Sequence, residues 1–174
     1  DYTGATPHFI DSNTRNFGID AKKLENYLES ITFRKNGKSY NKKTKRRIKA
    51  IIPVHIFGHA CEIDRIISIA KKYNLKVIED AAEAVGSYYK KKHLGTFGDV
   101  GCFSFNGNKI ITTGGGGMVV LKNKTLAKKI RHITTTSKIK HKWEYIHDEV
   151  GYNFRMPNIN AALGLAQLKK INSF

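Results

Sequence analysis

Asp80 and Lys109 are the residues of this sequence best placed to do chemistry. Val77-Ile78-Glu79-Asp80 reads as a short apolar strand ending on an acid, and the small residues Ala81 and Ala82 let the chain turn directly after it. Cys102-Phe103-Ser104-Phe105 is a second apolar run, followed four positions later by Lys109. In an α/β sheet the loops beyond the carboxyl ends of strands are where ligands bind. A carboxylate and an amine at two such ends suit a protonated heteroaromatic ring that carries an aldehyde. Pyridoxal phosphate has that chemistry, with Asp80 on the ring nitrogen and Lys109 as the Schiff-base amine.

Each residue gains meaning from the other. A strand-terminal aspartate alone is often only a turn cap, and an isolated lysine is usually solvated. A carboxylate facing a pyridine nitrogen keeps the ring protonated and able to take up electrons. Lys109 lies between the apolar run and Ile110-Ile111, a setting that suits a desolvated amine acting as nucleophile and proton carrier. Ser104, five residues before the lysine, offers a hydroxyl for a phosphate. The run Gly114–Gly117 lacks the spacing of a nucleotide P-loop and reads as backbone flexibility beside the lysine. His55, His59 and Cys61 are spaced like metal ligands, but Phe57-Gly58 between them argues for a loop, and no second ligand pair completes a zinc site. No Gly-x-Ser-x-Gly elbow supports a hydrolase.

The elements that must position these residues follow from the hydrophobic pattern. Thr6–Asp11 is expected to be a short strand. Ala21–Ser30 is expected to be a helix with Leu24, Tyr27 and Leu28 on one face and Asp20 as N-cap. Residues 34–47 are almost wholly polar and basic and are expected to form an exposed, mobile and dispensable loop. Ile48–Val54 reads as a strand covered on both faces. Glu62–Tyr73 reads as a helix stopped by Asn74, and Lys76–Glu79 as the next strand. Together these make a parallel strand–helix–strand unit. Ser87–Thr96 should be a hairpin-like excursion, Val100–Phe105 a buried strand, and Met118–Leu121 another. Asn123 should cap a basic helix running to about His132. Pro157 should open a strongly amphipathic helix.

The 174 residues carry a formal charge of +17, and 24 of the 31 basic residues are lysines. This reads as lysine-rich solvated faces rather than nucleic-acid recognition, which favours arginine interleaved with aromatics; nucleic acid is not expected as a partner. No apolar run approaches the roughly 20 residues of a membrane helix, and the polar opening Asp1-Tyr2-Thr3-Gly4 is not a signal peptide. No membrane partner is therefore expected. Cys61 and Cys102 read as buried thiols, which suits the cytoplasm.

The same residues carry a family likeness. Ile51–His59, Glu79–Ala84, Phe103–Lys109, Thr112–Met118 and Val150–Asn158 together strongly resemble the DegT/DnrJ/EryC1/StrS sugar aminotransferases, in particular those that aminate the 4-keto carbon of nucleotide-linked deoxysugars. The resemblance implies the large domain of a fold-type I transferase, an α/β fold with a mostly parallel sheet flanked by helices. It implies that Lys109 is the Schiff-base lysine and that Asp80 meets the pyridine nitrogen. Glu83 falls on the position beside the cofactor ring, and Ser104 on a phosphate-contacting serine. Asn153 falls on an asparagine that reaches the phosphate in a neighbouring subunit, so the implied working unit is a homodimer with a shared site. The implied substrates are a nucleotide sugar and an amino-acid donor, with glutamate expected. Family members are roughly twice as long. The chain is therefore expected to be a partial PLP-binding domain spanning 1–174, with a basic insertion at about 34–47 and with the N-terminal segment and C-terminal small domain absent. The alternatives are a truncated remnant acting through protein or polyanion contacts, and a sugar dehydratase of the same fold.

Overall fold

The structure, a computed structural model, describes residues 3–174; Asp1 and Tyr2 of the polar opening lie outside it. A four-stranded mixed sheet organises the chain, in the order β3 (Ala50–Ile51), β4 (Lys76–Asp80), β7 (Val100–Ser104), β8 (Gly117–Leu121). The first three strands run parallel and β8 returns antiparallel to β7. This bears out the strand–helix–strand unit expected from the sequence. The helix between β3 and β4 is α2 (Ile63–Tyr73), and it buries Ile63, Ile66, Ile69, Ala70 and Tyr73. The 3.6 period predicts Ile67 on that face; the structure leaves it half-buried and seats Ile69 instead. Asn74 ends the helix in the left-handed region, φ 51° and ψ 51°, which asparagine tolerates better than most residues.

Helix α1 (Ala21–Ile31) packs beside α2 and contributes Ala21, Leu24 and Leu28 to the same core. Asp20 caps it as expected, its carboxylate accepting the Lys23 amide at 2.9 Å. Thr6–Asp11 does not form a strand. The backbone there finds no ladder partner, and one isolated bridge, Ser12 to Ile19, closes the following turn.

The basic stretch is the clearest departure from expectation. Residues 32–41 are an antiparallel hairpin, β1 (Thr32–Lys35) and β2 (Lys38–Asn41), not a mobile loop. Asn36 and Gly37 supply the two positive-φ positions, 50° and 70°, that a two-residue hairpin turn demands. The hairpin is also anchored. Ser39 is buried, and its hydroxyl donates to the Tyr73 carbonyl at 2.5 Å. Asn74 Nδ2 donates to the Gly37 carbonyl at 2.8 Å. Residues 42–47 follow as a turn in which the Asn41 side chain accepts the amides of Lys43 and Thr44.

The excursion after β4 is a second small hairpin, β5 (Tyr88–Tyr89) and β6 (Lys92–His93). It folds so closely onto β7 that a Cβ at position 101 would collide with the Gly95 carbonyl, which only glycine avoids. Asn123 caps α3 (Lys124–Thr134) as expected. Helix α4 (Asn158–Leu168) begins after Pro157 but is not amphipathic: none of its residues is buried, and Ile159 is 85% exposed. Polar clamps hold it instead. Gln167 accepts from the Thr112 amide and donates to the Thr112 carbonyl, while Asn160 donates to the Thr113 carbonyl. The sheet is equally one-sided. Val77 and Glu79 face the buried side, whereas Ile52 and Val119 on the other face remain open to solvent. Among the described residues no helix is long and apolar enough to cross a membrane.

Candidate active site

The site grows from the alternation of β4. Glu79 and Asp80 point to opposite faces of the sheet, because successive strand residues do so. Glu79 goes inward and is fully buried. It accepts hydrogen bonds from His55 Nε2 at 3.0 Å, the Gly95 amide at 2.9 Å and the Gly98 amide at 2.6 Å. Burial pushes its carboxyl up, but the bonds from His55 and the two glycine amides outweigh that and leave it below the usual carboxylate range. Sequence reasoning passed over Glu79 in favour of its neighbour. It weighed His55 only as a metal ligand; in the structure His55 faces Glu79, His59 is exposed, and Cys61 is buried. Burial raises the Cys61 thiol to about 12.

Asp80 turns to the open face. Its backbone is held on both sides: its amide donates to the Pro53 carbonyl and its carbonyl accepts from the His55 amide. One carboxylate oxygen accepts the Ala82 amide at 3.1 Å, and the other has no hydrogen-bond partner among the described residues. Asp80 pairs in register with Cys102 on β7, and Ser104 lies two residues further along the same face. Asp80, Cys102 and Ser104, with Ile52, Ile78 and Ala82, line an open depression of about 300 Å³. The Ser104 oxygen accepts the Asn106 amide at 3.3 Å, which leaves its own proton to donate. Cys102 is half-buried rather than buried, and its thiol is pushed up by burial and by the nearby Asp80.

Lys109 reaches the same end of the sheet through Glu83. Its ammonium, with the side chain 16% exposed, lies 3.3 Å from Glu83 Oε1. The second Glu83 oxygen accepts the Phe57 amide at 2.7 Å, and that bond leads in drawing the carboxyl below its usual range, with Lys109 adding to it against burial. Phe57 sits at φ 51° within the tight 3-10 turn Ile56–Gly58, so this turn presents its amide directly to Glu83. The structure thus brings Asp80 and Ser104 together in one depression and Glu83 and Lys109 together in an ion pair three residues beyond Asp80. Asn153 stands apart. It is exposed and joined through its backbone to Thr135, beyond α3.

The donor set fits the chemistry of a phosphorylated pyridine aldehyde: a carboxylate with a free oxygen, a hydroxyl on the same strand face, and a mostly buried amine paired with Glu83, three residues beyond that carboxylate. Comparison with known proteins points the same way. A relative from Escherichia coli O157:H7 named GDP-perosamine synthase is 46% identical over 173 residues, covering 99% of this chain and 43% of that enzyme. A Campylobacter jejuni protein named UDP-4-amino-4,6-dideoxy-N-acetyl-beta-L-altrosamine transaminase is 40% identical, covering 97% of this chain and 42% of that one. Among solved structures, Helicobacter pylori PseC, an aminotransferase of pseudoaminic acid biosynthesis, superposes with a TM-score of 0.84 at 31% identity. It covers 99% of this chain and 42% of its own. The fold expected from the sequence is therefore that of solved sugar aminotransferases, and the chain spans less than half the length of the relatives it matches. The family model described as DegT/DnrJ/EryC1/StrS aminotransferase matches residues 1–174, and the chain belongs to that family.

Proposed function

We propose that this chain is the cofactor-binding core of a pyridoxal-phosphate-dependent aminotransferase that converts the 4-keto group of a nucleotide-linked 6-deoxysugar to an amine. Glutamate is the proposed donor and surface polysaccharide the proposed destination. The observation that supports the reading is the arrangement after the carboxyl ends of β4 and β7: Asp80 and Ser104 line one depression, and Lys109, five residues after Ser104, is ion-paired to Glu83, three residues after Asp80. A lysine at position 109 also weighs against a dehydratase. The cofactor, when bound, would supply an electron sink for the carbon that loses its proton.

The protein's part is to bind, orient and move protons. Asp80 would hold the ring nitrogen in its protonated form through its free carboxylate oxygen. Ser104 would donate its hydroxyl proton to the phosphate. Glu83, fixed by the Phe57 amide, would hold Lys109 at the ring until the amine is needed and face the ring edge afterwards. Lys109 would attach the aldehyde and, once released, carry the proton between cofactor and sugar carbon. Asn153, exposed on its own subunit, would serve the phosphate of a second copy, so that the site is shared in a cytoplasmic homodimer.

The test uses the purified chain with pyridoxal phosphate. A visible absorbance band near about 420 nm should develop and be absent in Lys109→Ala. Persistence of the band in Lys109→Ala would remove Lys109 from its role.

A further inference from the structure

The hairpin that replaces the expected loop gathers charge without neutralising it. Between residues 34 and 49 lie nine of the chain's 31 basic residues and none of its 14 acidic ones. Elsewhere lysines and arginines meet carboxylates, as Lys72 meets Glu25, Lys76 meets Asp99 and Arg65 meets Glu62. None of the nine forms an ion pair among the described residues. Some are occupied structurally: Lys42 donates to the carbonyls of Glu29 and Ser30, and Arg46 to Thr6 and the Gly4 carbonyl. Arg34, Lys35, Lys38 and Lys43 are exposed. Lys35 and Lys38 stand directly opposite each other across the turn, a like-charge pairing that costs stability in a two-stranded ladder. An anionic surface laid against the hairpin would relieve that repulsion.

The shape narrows the partner. The hairpin follows α1, is fastened to the end of α2 through Ser39 and Asn74, and presents its unpaired cations on exposed side chains, so it suits an extended anionic surface better than an enclosed small anion. Its two aromatic rings are largely engaged with each other and with a lysine. Phe33 and Tyr40 stack on each other with centroids 5.6 Å apart, and the Lys45 ammonium sits over the Phe33 ring. The hairpin thus offers few aromatic faces for the base stacking by which single-stranded nucleic acid is usually held. Six of the nine cations are lysines, hydrated point charges that suit a diffuse layer of headgroups rather than the forked recognition arginine provides.

We propose that the β1–β2 hairpin and the turn after it form a peripheral docking surface for a bilayer rich in anionic phospholipid. The contact is electrostatic and requires no membrane-spanning segment. It revises the expectation of no membrane partner, which rested on the lack of such a segment. It is independent of the aminotransferase reading, because none of these residues belongs to the proposed active site.

The test is co-sedimentation of the whole chain, at low salt, with vesicles of equal parts phosphatidylglycerol and phosphatidylcholine, and with vesicles of phosphatidylcholine alone. The chain should partition onto the anionic vesicles only. The R34Q/K35Q/K38Q/K43Q variant should lose about a hundredfold in partitioning. A K22Q/K71Q/K91Q/K128Q variant, which removes the same charge elsewhere, should lose less than about threefold. In the unmodified chain, acetylation read by mass spectrometry should show Lys35, Lys38 and Lys43 protected on anionic vesicles, which tests the surface even if the first variant folds poorly. Equal losses in the two variants, no protection at the hairpin, or no preference for anionic vesicles would overturn the proposal. Stripping of the chain from vesicles by duplex DNA at equal phosphate concentration would also overturn it and assign the surface to nucleic acid.

Discussion

His55 and Glu79 meet at 3.0 Å with neither side chain reaching solvent, and both belong to the frame that holds Asp80. Glu79 also ties down the amides of Gly95 and Gly98, so one carboxylate joins the end of β4 to the excursion that covers β7. Removing its charge leaves buried donors facing an amide. Glu79→Gln should therefore cost about 3 kcal/mol of stability, measured by urea unfolding. Glu25→Gln, which breaks the exposed pair with Lys72, should leave the unfolding midpoint unchanged. A Glu79→Gln protein as stable as the parent would show that the buried pair organises nothing.

The same carboxylate sets an acid limb. Its ordinary value is 4.5 and the fold lowers it. The unfolded chain therefore takes up the proton first as pH falls. The stabilising contribution of Glu79 is complete above its ordinary value and is lost as pH drops through the lower, folded value. Unfolding free energy followed from pH 6 down to about pH 3 should fall more steeply in the parent than in Glu79→Gln. Parallel curves for the two proteins would locate the acid sensitivity elsewhere, for example at Asp99, which is also lowered.

How much of this could be read from the chain alone depended on local punctuation. Helices α1 and α2 were legible because Asp20 and Asn74 mark their ends and the apolar period between them is unbroken. The β4 and β7 strands were legible because Val77-Ile78 and Val100–Phe103 are short apolar runs that end just before the polar residues Glu79-Asp80 and Ser104. The β1–β2 hairpin was missed although Asn36-Gly37 is a strong turn signal; the surrounding cations hid it, and it is anchored by Ser39 reaching the Tyr73 carbonyl of α2 and by Asn74, the α2 cap, reaching back to Gly37, contacts no local pattern shows. Helix α4 was misread because its apolar residues imply a core on one side, whereas Gln167 and Asn160 fasten it by polar bonds. Within the candidate site, Asp80, Ser104 and Lys109 were singled out by their positions at or just after strand ends, and Glu83 only through the family resemblance. Glu79 was not, because a buried carboxylate is recognisable only by its partners, and His55 lies 24 residues earlier.

Excising the hairpin should now be damaging rather than neutral. Ser39→Ala removes a buried bond to the Tyr73 carbonyl, and the loss should be about 1 kcal/mol, read from thermal unfolding. Replacing residues 34–47 with a short glycine–serine linker should destabilise the chain further, since it also removes the Gly37 carbonyl that Asn74 bonds. Unchanged melting of the linker variant would restore the view of this segment as a dispensable insertion.

Asp80→Asn keeps the shape of the depression and removes its charge. If Asp80 keeps a ring nitrogen protonated, conversion of the bound cofactor by glutamate should slow by about a hundredfold. Lys109 should still attach the aldehyde, so the absorbance band should persist in this variant and disappear in Lys109→Ala. A parent-like rate for Asp80→Asn would mean that the carboxylate is only a turn cap through the Ala82 amide.

Lys109 is steadied from the far end of the chain as well. The segment after it is gripped at Thr112, whose amide and carbonyl both bond the Gln167 side chain of α4. Gln167→Ala removes both bonds at once, and with each worth about 1 kcal/mol the segment 109–113 should open more readily. Hydrogen exchange of the Thr112 and Thr113 amides should quicken by roughly tenfold or more, while exchange in α1 and α2 should not change, because neither helix touches this clamp. Gln167→Glu should be worse than alanine, since a carboxylate can still accept the Thr112 amide but faces the Thr112 carbonyl with no proton to offer. Unaltered exchange at Thr112 in both variants would show that Gln167 does not hold the lysine loop, and that the loop owes its shape to Asn160, which bonds the Thr113 carbonyl, and to the Thr113 and Lys109 amides, which bond the carbonyls of Phe105 and Asn106.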